Sequence, residues 1–80
     1  MRILDPETGR SLHEVQMYFT ASEATEFRDA LNELLTDPEA LEHRHIVADA
    51  REISFSLVIA AKLANLKRYT EVERRVLQER

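Results

Sequence analysis

Gly9 is the only glycine in this chain of 80 residues, and there is no cysteine. Glycine enters left-handed backbone without steric cost, so a chain with one glycine has one obvious place for a sharp reversal. That place is the run Asp5-Pro6-Glu7-Thr8-Gly9-Arg10. Pro6 presets φ for the second position of a type I turn and Asp5 suits the position before it. Gly9 follows, where the chain re-enters a strand. The stretch reads as a β-hairpin with arms over residues 2–5 and 10–20. In the second arm Val15, Met17 and Phe19 alternate with Glu14, Gln16 and Tyr18. The first set is expected on a core and the second towards water or a partner.

A helix is expected next. Thr20-Ala21-Ser22-Glu23 has the capping-box pattern, with a hydroxyl to accept from the helix start and a carboxylate to reach back. Ala24, Phe27, Leu31, Leu34 and Leu35 recur at three- and four-residue spacing and define the expected buried stripe. Asp37-Pro38 ends the helix near Thr36 and opens an extra turn through Leu41.

Residues 43–48 and 53–58 are rich in β-formers and flank Asp49-Ala50-Arg51-Glu52. A four-residue loop on a type I turn suits that composition. It pairs Ala48 with Ile53, Ile46 with Phe55 and Arg44 with Leu57, and puts His45 opposite Ser56 and Val47 opposite Ser54. A three-residue loop would mismatch the apolar residues.

The last third is helical in composition but has two apolar stripes. Ile59, Leu63 and Leu66 share one face, while Tyr69, Val72 and Val76 share another. Thr70-Glu71-Val72-Glu73 is a second capping box, so a break is expected at Tyr69-Thr70 and a new helix over residues 71–79. Glu71 and Arg75 are spaced to support it as an i,i+4 pair. The order ββαββα(α) implies a single α+β domain over residues 1–80. Its expected centre is one antiparallel four-stranded sheet with one amphipathic helix on one face and a C-terminal helical segment over residues 60–80.

Such a chain is near the size at which one core is only marginally stable, and without cysteine no disulfide can staple it. The longest apolar run, residues 57–61, is too short to span a bilayer, and the N-terminus lacks an export signal. A cytoplasmic bacterial protein, with no membrane partner, is the expectation. Net charge is −4, divided between −7 over residues 1–61 and +3 over residues 62–80.

Three functional readings follow. His43 and His45, two apart on a strand, point the same way and could share a metal ion, with Asp49, Glu14 or His13 as the third ligand. Lys62, Lys67, Arg68, Arg74, Arg75 and Arg80 could neutralise phosphates. Against this, Glu71, Glu73 and Glu79 are interspersed, and Tyr69 is the one aromatic available for stacking, so nucleic acid is not the expected partner. The third reading is a protein-interaction or homodimerisation module, with Tyr18, His43, His45, Tyr69, Val72, Val76 and Leu77 at the interface. No phosphate-binding, dinucleotide-binding or metalloprotease motif occurs, so neither an enzyme nor a bound cofactor is expected. The interaction module is the preferred reading.

Overall fold

A computed structural model describes residues 1–40 and 42–79. The fold is α+β. Strands β1 (Leu4–Asp5) and β2 (Arg10–Ser11) precede helix α1 (Ala21–Thr36). Strands β3 (Arg44–Ala48) and β4 (Arg51–Phe55) follow, then helix α2 (Ala60–Leu63), a 3-10 turn (Leu66–Arg68) and helix α3 (Glu71–Leu77). The strands form two separate antiparallel pairs, β1–β2 and β3–β4, rather than the expected four-stranded sheet. The chain gathers into two compact units. One is a terminal unit of Met1–Met17 with Asn65–Arg80, and the other a central unit, Tyr18–Ala64.

In the terminal unit the hairpin turns where expected. Asp5 organises it, with its carboxylate accepting from the Glu7 N–H at 3.0 Å and the Thr8 hydroxyl at 2.9 Å. Gly9 has φ of +73° and donates its N–H to the Asp5 carbonyl at 2.8 Å. Pairing is Leu4 with Ser11 and Asp5 with Arg10, and it ends with the Leu12 N–H on the Ile3 carbonyl. The second arm therefore stops at Ser11, not at residue 20. Among the described residues no strand pairs with residues 14–20, so nothing holds them extended in a sheet. Val15, Met17 and Phe19 are at least partly exposed instead of facing a core.

Helix α3 completes this unit. Thr70 and Glu73 form the expected reciprocal cap. The helix ends at Leu77, two residues sooner than expected. Arg75 donates to the Gly9 carbonyl, and Arg2 donates to the Val76 carbonyl at 3.1 Å and to that of Glu79. Val76 is the buried apolar residue here.

The Asp5 turn carries a pH signature. The Thr8 hydroxyl first, and then the Glu7 N–H, hold the Asp5 carboxyl below its ordinary range. A carboxyl whose pKa is lower folded than unfolded stabilises the fold above the unfolded pKa. That contribution is lost as pH falls through the folded value, in acid below about pH 4. Asp5→Asn is expected to flatten this part of the acid limb in urea titrations at stepped pH.

The central unit is built on α1 and the β3–β4 hairpin. Thr20 and Glu23 cap α1 reciprocally, with N···O distances of 2.9 and 3.2 Å. The helix ends at Thr36, as Asp37-Pro38 requires. The turn after it runs over residues 38–40, and its expected end at Leu41 lies outside the described residues. The buried face of α1 carries Ala30 and Leu34, with Phe27 and Leu31 half-buried. Ala24 and Leu35, expected in the stripe, are exposed. All three phenylalanines meet at one end. Phe27 stacks on Phe19 at 5.6 Å and meets Phe55 edge-on at 4.8 Å between ring centroids.

The β3–β4 register differs from expectation by two residues. Ala48 pairs with Arg51, Ile46 with Ile53 and Arg44 with Phe55. The loop is only Asp49-Ala50, with φ of +52° and +62°. Two consecutive left-handed residues fit the right-handed twist of a hairpin and make the shortest connection. A shift of two keeps side-chain parity, so Ile46 still faces the helix and is buried, while His45 and Val47 remain on the open face.

Candidate functional site

The open face of the β3–β4 hairpin brings together His43, His45, Glu52 and Ser54. Parity places His43, just before β3, on the same side as His45. The two imidazoles meet edge-to-face with centroids 4.5 Å apart. Cross-strand pairing puts Ser54 opposite His45 and Glu52 opposite Val47. His45 Nδ1 lies 2.7 Å from Ser54 Oγ and 2.7 Å from Glu52 Oε1. A carboxylate oxygen accepts, so Nδ1 is the nitrogen that donates in this contact, and in the neutral ring Nε2 carries the lone pair.

Beside the imidazoles runs a groove of about 370 Å³ between α1 and β3, whose lining includes Glu26, Asp29 and Glu33. Arg44 enters from the helix-facing side of β3 and pairs with Glu33. The central unit carries nine Asp/Glu against four Lys/Arg, a net charge of −5. The histidines therefore sit in an electronegative setting that favours a cation over an anion.

Asp49, one of the three candidate third ligands, does not join this pair. Asp49 is in the turn four residues beyond His45, roughly 13 Å along a strand. His13 and Glu14 belong to the terminal unit. Among the described residues no group of three or more His, Cys, Asp or Glu side chains is placed to hold a metal ion.

The basic set is dispersed. Lys62 belongs to the central unit and is buried, its Nζ donating to the Leu57 carbonyl at 3.1 Å. Arg75 is committed to Gly9, and Arg80 lies outside the described residues. Of the expected interface residues, Tyr18 (87% exposed), His43, His45 and Val72 are open. Tyr69 and Leu77 are half-buried. Val76 is only 3% exposed, because α3 turns it inward while Arg2 holds its carbonyl. Glu52 was not singled out from sequence. Its role depends on the two-residue turn, which sets it diagonally across from His45.

These features define the chain as a small α+β protein of two antiparallel hairpins and capped helices. No protein-family model, curated protein or solved structure matches it. Among the described residues no helix is long and apolar enough to cross a membrane.

Proposed function

We propose that this protein is a non-enzymatic interaction module that associates with a second copy of itself. The observation that carries this reading is the terminal unit. It is smaller than the roughly 40 residues below which a fold usually needs a disulfide, a metal or oligomerisation. The sequence has no cysteine. Among its described residues Val76 is the sole buried apolar side chain, while Val15, Met17 and Val72 remain exposed. A second copy would supply the missing burial, and an isologous contact lets one apolar patch serve both subunits.

Sedimentation velocity over a micromolar concentration series is expected to show a monomer–dimer equilibrium. Val72→Glu is expected to weaken it at least tenfold. A charge there would cost the monomer little, because Val72 is already exposed. A strict monomer at high micromolar concentration would refute the proposal.

A further inference from the structure

We infer that His43 and His45, oriented by Glu52, form half of a site for a divalent late transition-metal ion such as zinc. The same two histidines of a second copy complete it. The inference shares with the proposed function only the idea of a second copy, and it does not need the apolar contact of the terminal unit, because the ion itself can join the two chains.

The ring geometry suits chelation. Zinc–imidazole bonds of about 2.0–2.1 Å put the ion about 3.2 Å from each ring centroid. Two rings on one ion are then separated by about 5.2 Å at the tetrahedral angle and about 4.5 Å at a right angle. The observed 4.5 Å matches the right-angle value and is shorter than the tetrahedral one, so the rings must move apart by about 0.7 Å to hold a tetrahedral ion. The second observation is the carboxylate on the far nitrogen. Metal-binding histidines usually donate their other N–H to such an acceptor, which fixes ring orientation and raises ligand basicity. Glu52 stands at that position, 2.7 Å from Nδ1, which leaves Nε2 of His45 as the nitrogen to bind an ion.

The donor set decides both the ion and the stoichiometry. Imidazole nitrogens select zinc, copper or nickel over magnesium or calcium. Zinc takes four ligands at a closed site, and one chain offers two. Both histidines are exposed on an open face, so a twofold axis through the ion would bring in the other two. Each central unit carries −5, and a dication at the contact offsets the repulsion between two copies.

The test is calorimetric zinc titration of the full chain, with sedimentation in chelator and in zinc. Uptake of half an equivalent per chain, coupled to zinc-dependent association, is the expected result. His43→Ala and His45→Ala should abolish uptake, and Glu52→Gln should weaken it 10- to 100-fold. Unchanged circular dichroism of each metal-free variant would exclude unfolding as the cause. Uptake should also fail in acid, where protons compete for the imidazoles. No uptake, or one equivalent per chain without association, overturns the inference. A dimer in chelator that takes up no zinc overturns it too, while leaving the homodimer standing. A monomer in chelator that pairs at half an equivalent of zinc supports the site and refutes metal-free association.

Discussion

Leu34→Ala is expected to destabilise the central unit by about 2–5 kcal/mol, the range for truncating a fully buried leucine. Leu34 has no exposed surface and lies on the face of α1 that packs against β3. The loss has two parts, the lost transfer of the removed methyl groups and the cavity they leave. Whole domains hold only about 5–15 kcal/mol, and small ones sit low in that range. Urea denaturation followed by helical circular dichroism should therefore show a large fall in midpoint or a chain already partly unfolded in buffer. The neighbouring Leu35→Ala is the control. Leu35 is 64% exposed, so its truncation should change stability by less than about 0.5 kcal/mol. Equal losses at the two positions would mean that α1 buries a different face.

The second large effect lies at the β3–β4 turn, where Ala50 holds φ of +62°. An L-residue with a Cβ in left-handed backbone is strained by about 1–2 kcal/mol. Glycine removes that strain but adds freedom to the unfolded chain. Ala50→Gly is expected to stabilise by about 1 kcal/mol, several degrees in Tm for a chain of this size. Ala50→Pro is expected to act in the opposite direction and disrupt the hairpin, because its ring fixes φ near −65°. The pair also tests register. In a four-residue loop on a type I turn the early positions have negative φ, and proline there would be tolerated. Thermal melts of both variants distinguish the two loops by sign.

That turn marks the limit of what the sequence discloses. Capping at Thr20 and Thr70 was legible because each box is a local arrangement of four residues. The facing of His45 and Ile46 was legible because a shift of two preserves parity. The register was not, since Asp-Ala lacks the glycine that signals a two-residue turn. The strand expected over residues 10–20 fails for a related reason. Alternation expresses a preference for a half-buried sheet, but a strand needs a partner, and among the described residues none pairs with residues 14–20. On α1, Ala30 and Leu34 are buried four residues apart on one face, and Leu35, about 100° further round, is exposed. Of the site, the paired histidines were visible in the sequence. Glu52 emerged only once the cross-strand pairing was known.

The burial of Lys62 has a consequence for protein chemistry. The chain has two lysines, Lys62 and Lys67, one 2% exposed and the other open to solvent. An amine-reactive reagent should acylate Lys67 at once, whereas Lys62 must wait for its carbonyl-bound ammonium to be released. The lag between the two lysine adducts, read by mass spectrometry, makes Lys62 an internal clock for local opening of α2.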